Sequence, residues 1–141
     1  ERKIFKDGVL VKSDVASDDY LGTGDMIIGT TAWFDDADYF NGYIDEVTFW
    51  NVALTQEQIQ AMMCKKLTST NLPSGLSWSN LLGYWRFDAG SGTTATDGTG
   101  NGNDGTLTNG ATWATSGAAI GDVSTYDYSS PTSVTLSHSD G

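Results

Sequence analysis

Adjacent acidic residues are the first groups in this chain that could do chemistry. Asp45 and Glu46 lie in the apolar-rich segment 42–50. Two carboxyl groups about 5 Å apart can serve as nucleophile and acid in the hydrolysis of a glycosidic bond. Successive side chains of a strand point to opposite faces, and no other acid lies in this segment. We therefore predict that the two carboxylates diverge, that Asp45 is structural, and that the protein is not an enzyme.

Oxygen-bearing side chains are concentrated in a second segment, the glycine-rich residues 97–105. Calcium takes about six to eight oxygen ligands and tolerates irregular loops. The segment therefore predicts a structural calcium site formed by Asp97, Asn101, Asn103 and Asp104. It does not fit the helix-loop-helix calcium motif, because no glutamate closes it. The alternative is a network of turns in which these side chains bind their own backbone.

Aromatic and acidic residues are mixed without a period in residues 30–41, which is typical of a long surface loop. Flat aromatic faces can stack on sugar rings while acids bind the hydroxyl groups. The predicted ligand-binding residues are Trp33, Phe34, Asp36 and Tyr39. For Trp33, burial in the core is an equal alternative.

Composition excludes several classes of function. The only histidine, His138, lies near the end of the 141 residues, which argues against nucleophilic catalysis that depends on a histidine. The only cysteine is Cys64, which argues against an internal disulfide and a thiolate metal cluster. Seven basic against 18 acidic residues give a net charge of −11, which argues against nucleic acid and anionic lipid as partners. Apolar runs fall short of the roughly 20 residues that membrane insertion needs.

Local patterns predict mostly strands, as expected for a chain with 17 Gly, 11% aromatic and 18% charged residues. Asp7-Gly8 predicts the turn of a hairpin over residues 2–12. Thr55 and Gln58 form a capping-box pattern that predicts a short helix at about 56–64. Further strands are predicted at 25–29 (buried), 42–50, 81–88 and 132–137, with Trp50, Trp85 and Phe87 in the core.

Two stretches resemble laminin-G-like, concanavalin A-like jelly-roll domains. Residues 6–11, 27–29 and 40–55, together with Glu57 and Ile59, resemble the closing half of such a domain; residues 82–94, Asp97 and residues 101–107 resemble its opening segment. The resemblance implies an all-β jelly-roll sandwich of two antiparallel sheets with one short helix. It also implies calcium at the loop rims, since many relatives bind calcium there.

The two stretches stand in the reverse of the usual order. Either the chain spans a boundary between tandem domains, or the domain is permuted, in which case segments 42–50 and 81–88 share one sandwich. We expect residues 1–118 to form the laminin-G-like portion, with its opening strands missing before residue 1. Residues 119–141 are then a linker and the first strand of a following module.

The resemblance implies a non-catalytic binding or adhesion module of a large secreted or cell-surface protein of bacterial type. Its expected partners are glycans or surface proteins and the neighbouring modules of the same polypeptide. Two alternatives stay open at this point. One is a structural spacer in a repetitive surface filament, and the other is an ancillary carbohydrate-binding domain of a polysaccharide-degrading enzyme.

Overall fold

The computed structural model of the chain describes residues 1–15, 24–30 and 39–114. Within them the elements are β1 (Arg2–Lys6), β2 (Val9–Asp14), β3 (Val47–Trp50), α1 (Gln56–Met62), a 3₁₀ helix (Trp78–Asn80), β4 (Leu81–Trp85), β5 (Thr94–Ala95) and β6 (Gly105–Thr106). The strands pair antiparallel as β1–β2, β3–β4 and β5–β6. This confirms the all-β class with one short α-helix, while the packing of two sheets into a sandwich stays a prediction.

Some sequence predictions lie outside the described residues. These are the ligand-binding residues Trp33, Phe34 and Asp36, the strand at 132–137 and the module boundary at 119–141. Among the described helices, none has the length and apolar character needed to cross a membrane.

The predicted hairpin is confirmed, with β1 and β2 joined by Asp7 and Gly8 at φ values of 51° and 73°. Positive φ at both positions is what a two-residue turn requires to match the twist of its strands. The turn lies against α1, since Gln60 Nε2 donates to the Gly8 carbonyl at 2.8 Å. The hairpin is thereby fixed to the helix through its backbone.

The capping box at the start of α1 is also confirmed. Thr55 Oγ1 accepts a hydrogen bond from the Gln58 amide at 3.2 Å, and Gln58 Oε1 accepts one from the Thr55 amide at 2.9 Å. The helix ends at Met62, two residues earlier than predicted. Cys64 has a φ of 60°, a conformation that cannot continue a right-handed helix.

Strands β3 and β4 bring the two family-like stretches into one sheet. Val47 is opposite Trp85 and Thr48 is opposite Tyr84 in an antiparallel register. The choice between a permuted domain and a boundary between tandem domains stays a prediction. Both strands are shorter than predicted, because Glu46 before β3 and Phe87 after β4 have φ values of 50° and 51°, outside the extended region.

The core of the described residues lies between this sheet, α1 and the segment that follows the helix. Its buried centre consists of Leu67, Leu81 and Tyr84, and the residues packed around it are Trp50, Met62, Leu72 and Trp78. Trp50 and Trp85 therefore contribute to the interior as predicted. Phe87 is only half-buried, and its ring lies 6.5 Å from that of Trp113.

The predicted buried strand at 25–29 is wrong. Met26 and Ile27 are about half exposed, and residues 25–27 have no regular secondary structure. Strand-like pairing in the described residues is limited to the end of this segment, where the Gly29 carbonyl accepts from the Phe40 amide and Thr30 bridges Tyr39. A short apolar run does not form a strand without a partner, which is why the pattern alone was misleading.

Candidate functional site

Three exposed aromatic side chains lie together in sequence just before β3. Tyr39, Phe40 and Tyr43 are 58%, 60% and 80% exposed, and we call them the 39–43 aromatic surface. The backbone beside them is held, because Thr30 and Tyr39 form an antiparallel bridge and the Phe40 amide donates to the Gly29 carbonyl at 2.8 Å. The segment thus exposes aromatic side chains to solvent on a backbone that is held by hydrogen bonds.

The ring of Phe40 lies against the backbone of Gly42. A Cβ atom at position 42 would stand 2.8 Å from Phe40 Cε1, closer than real Cβ contacts. Glycine at this position is therefore needed for the ring to occupy its place. A side chain at residue 42 would therefore displace the exposed ring of Phe40.

Of the four predicted ligand-binding residues, Tyr39 is the one within the described part of the chain, and it is exposed as that role requires. Phe40 and Tyr43 were missed. Tyr43 was assigned to a strand that in fact begins at Val47. The Asn41-Gly42 pair between the aromatics was the available signal, because this pair favours a turn over a continuing strand.

A cluster of carboxylates lies at the end of the β3–β4 pair. Asp45, Glu46 and Asp88 each offer an oxygen, and these oxygens lie within 4.8 Å of one another. The prediction that Asp45 and Glu46 diverge is therefore wrong. The alternation rule holds for extended backbone, and the φ of 50° at Glu46 turns its side chain out of that alternation.

The acidic cluster is bound by donors from the protein itself. The Tyr84 hydroxyl donates to Glu46 Oε2 and accepts from the Leu67 amide at 3.1 Å. Asp88 is paired with Lys66 Nζ at 3.0 Å and Arg86 Nη2 at 2.7 Å. These contacts connect β4 to the start of β3 and to the segment after α1, which is the role of a structural network.

The network shifts the ionisation of its members. Burial raises the pKa of Glu46, and Asp45 raises it further, while the hydrogen bond from Tyr84 opposes the rise. Burial and the bond to Glu46 raise the pKa of the Tyr84 hydroxyl. The hydrogen bond and charge of Lys66 lower the pKa of Asp88 despite partial desolvation. At neutral pH the Tyr84 hydroxyl therefore stays protonated and remains a donor.

The Asp97 loop folds back onto β4 instead of extending away from it. Asp97 is 5% exposed and forms an antiparallel bridge with Trp85. Its carboxylate accepts hydrogen bonds from the Tyr84 amide at 3.1 Å, the Thr99 amide at 3.0 Å and the Asn103 amide at 3.1 Å. The Thr99 hydroxyl adds contacts of 2.7 and 2.8 Å to its two oxygens.

The four predicted calcium ligands are brought together, each with a protein partner. Asp104 Oδ1 accepts from the Asp97 amide at 2.7 Å. The side-chain nitrogens of Asn101 and Asn103 donate to backbone carbonyls of Leu81 and Leu82 at 2.8 to 3.2 Å. This arrangement supports the turn-network alternative.

Burial disfavours the ionised form of Asp97 and acts to raise the pKa of its carboxyl. The hydrogen bonds donated by Thr99, Asn103 and Tyr84 stabilise the ionised form more strongly, so the pKa is lowered. Calcium at these residues stays a prediction. Thermal denaturation in calcium and in chelator tests it, since a saturating ion raises the melting temperature.

Comparison with known proteins gives one family match. Residues 1–60 match the family model described as the concanavalin A-like lectin/glucanases superfamily, of laminin-G type. The match includes the hairpin, the 39–43 aromatic surface, β3 and most of α1. No curated protein and no solved structure matches the chain.

Proposed function

We propose that this chain, whose residues 1–60 match the laminin-G type model of the concanavalin A-like superfamily, is a non-catalytic module that binds carbohydrate through the 39–43 aromatic surface. Domains of this family are often binding modules. The observation that supports a carbohydrate ligand is the exposure of Tyr39, Phe40 and Tyr43 at adjacent places in the chain. Burying such rings against a ligand gains hydrophobic free energy that they lack in the free protein.

The chemistry of the surface fits a sugar better than an ion. Tyrosine combines an apolar ring with a hydroxyl at its tip, so it can cover the C–H face of a sugar ring and hydrogen-bond its hydroxyl groups. The Asn41 side chain lies between the aromatics in sequence and adds an amide donor and acceptor. Ligand sites of this kind combine aromatic area with a few polar groups.

The absence of catalysis is part of the proposal. The carboxylates of Glu46 and Asp88 are engaged by Tyr84, Lys66 and Arg86, so the acidic cluster has the contacts of a structural network. A hydrolase would need one carboxyl free to protonate a leaving group and another to attack or activate water. A sugar-release assay checks this, and turnover that Glu46→Gln abolishes would contradict it.

The family match also supports a proposal about the cellular setting. Laminin-G-like domains are commonly extracellular, and we propose that this chain belongs to a secreted or cell-surface protein in which neighbouring modules are further partners. The surplus of acidic residues fits a partner without a phosphate backbone.

A glycan array with the intact chain tests the function. The expected result is binding to a defined set of glycans, weakened about tenfold, or about 1.4 kcal/mol, by Tyr43→Ala. Phe49→Ala is the control, because Phe49 is another exposed aromatic side chain, at 51%, but lies in β3 outside the surface. Binding to no glycan would contradict the proposal and leave a protein ligand or a structural spacer as the alternatives, and equal losses in the two variants would place the ligand elsewhere.

A further inference from the structure

Three Asn-Gly pairs occur in the described residues, at positions 41–42, 101–102 and 109–110. Such pairs can modify themselves, because the amide nitrogen of glycine, unhindered by a side chain, can attack the side-chain carbon of the preceding asparagine. The three pairs share this local chemistry. They differ in how the fold restrains them.

The pair at 101–102 is held by its side chain. Asn101 Nδ2 donates to the carbonyls of Leu81 and Leu82 at 3.2 and 3.1 Å, and the Asn101 amide donates to Thr99 Oγ1 at 3.1 Å. Ring closure requires the Asn101 side chain to turn toward the nitrogen of Gly102. Both bonds to the start of β4 must break before it can do so.

The pair at 109–110 is held by its backbone. Asn109 and Gly110 have φ values of 52° and 85°, and the Ala111 amide donates to the Thr108 carbonyl at 3.1 Å. This is a closed turn with positive φ at both central residues. Rotation of the Gly110 nitrogen toward the side chain must open it.

The pair at 41–42 has neither restraint. Asn41 and Gly42 are exposed, and within the described ranges no hydrogen bond holds the Asn41 side chain. Gly42 is also the residue on which the Phe40 ring lies, so a bulkier residue there would displace the ring. The glycine that permits this aromatic packing is the one that leaves the backbone nitrogen open to reaction.

We infer that Asn41 is a site of self-modification by deamidation, and that it reacts before the other two pairs. The Gly42 amide nitrogen, losing its proton to solvent, forms a bond to Asn41 Cγ. The Cγ–Nδ2 bond breaks and the nitrogen leaves as ammonia after taking a proton from water, which gives a five-membered succinimide. Water then opens the ring at either carbonyl, giving aspartate or isoaspartate with one added negative charge.

The reaction changes the surface where the ligand is proposed to bind. A carboxylate replaces the amide between Phe40 and Gly42, and isoaspartate adds a methylene to the backbone there. This consequence rests on the proposed function, so aged protein is expected to lose glycan affinity. The order in which the three pairs react does not depend on any ligand.

Incubation of the folded chain at mildly alkaline pH, followed by peptide mapping with mass spectrometry, tests the inference. Deamidation adds about 1 Da at each reacted position. We expect Asn41 to react at least about tenfold faster than Asn101, a ratio that corresponds to about 1.4 kcal/mol of restraint. A smaller ratio, or faster reaction at either other pair, would overturn the inference.

Two controls separate the fold from the local sequence. In concentrated denaturant the three rates should converge, and a difference that persists there would show that the structure does not cause it. Asn41→Gln should abolish modification at position 41, since its longer side chain does not close the same ring. If the unmodified chain binds no glycan, the proposed function is wrong. The order in which the three pairs react is still tested by the peptide map.

Discussion

Replacing Asp97 by asparagine should destabilise the chain more than the same exchange at Asp104, in the same loop. The change keeps the size of the side chain and removes its charge. The carboxylate accepts hydrogen bonds from three backbone amides and one hydroxyl while it is 5% exposed. An amide in its place turns an NH₂ group toward at least one of these donors, which leaves a buried donor unsatisfied.

The magnitude follows from the number and type of the lost bonds. Hydrogen bonds to a charged group contribute about 1.5–3 kcal/mol each, and an unsatisfied buried donor costs about 1–3 kcal/mol. Because asparagine retains one acceptor oxygen, part of the network survives. We therefore expect Asp97→Asn to lower the free energy of unfolding by about 3 kcal/mol.

Urea denaturation of the intact chain measures this loss. Asp104→Asn is the matched control, because Asp104 accepts one backbone hydrogen bond, from the Asp97 amide, and should cost only about 1 kcal/mol. The stability that Asp97 supplies should also disappear as the pH falls below about 4, since its pKa is lowered in the folded state. A variant within about 0.5 kcal/mol of the parent chain would refute the proposed role of Asp97.

Three further outcomes are expected. Thr55→Ala removes the capping oxygen of α1 and should cost about 1 kcal/mol in denaturant unfolding, whereas an unchanged midpoint would mean that the capping box contributes nothing. Tyr84→Phe removes the hydroxyl between Leu67 and Glu46; it should cost about 1–2 kcal/mol and raise the pKa of Glu46 further, which titration by NMR would detect. Because the pKa of Glu46 is raised on folding, its ionisation reduces stability as the pH rises above about 4.3, and Glu46→Gln should flatten that decline in denaturation at several pH values.

Elements set by neighbouring residues were predictable from the sequence. The turn at Asp7-Gly8 needs only two residues that accept positive φ. The capping box at Thr55 and Gln58 is complete within four residues. In both cases the stabilising contacts lie inside the motif, so the motif predicts the structure.

Features set by distant contacts could not be predicted in the same way. The acidic cluster depends on the φ of Glu46 and on Tyr84, 38 residues away, which binds its carboxylate. The residues of the Asp97 loop lie close together, as a shared site requires, but their oxygen atoms suit either a cation or backbone donors. The choice between these partners involves the Tyr84 amide, whose position the β3–β4 pairing fixes.

The central claim is tested most directly by NMR. The isotope-labelled chain is titrated with a glycan identified on the array, and the chemical shifts of its backbone amides are measured at each step. The proposal predicts that the perturbed amides of the described residues centre on 39–43 and that those of Asp45, Glu46 and Asp88 shift little. It also predicts that Tyr43→Ala raises the glycan concentration at half-maximal shift about tenfold, while Phe49→Ala leaves it unchanged. Shifts centred on the acidic cluster, or no shifts at saturating glycan, would contradict a carbohydrate-binding surface at residues 39–43.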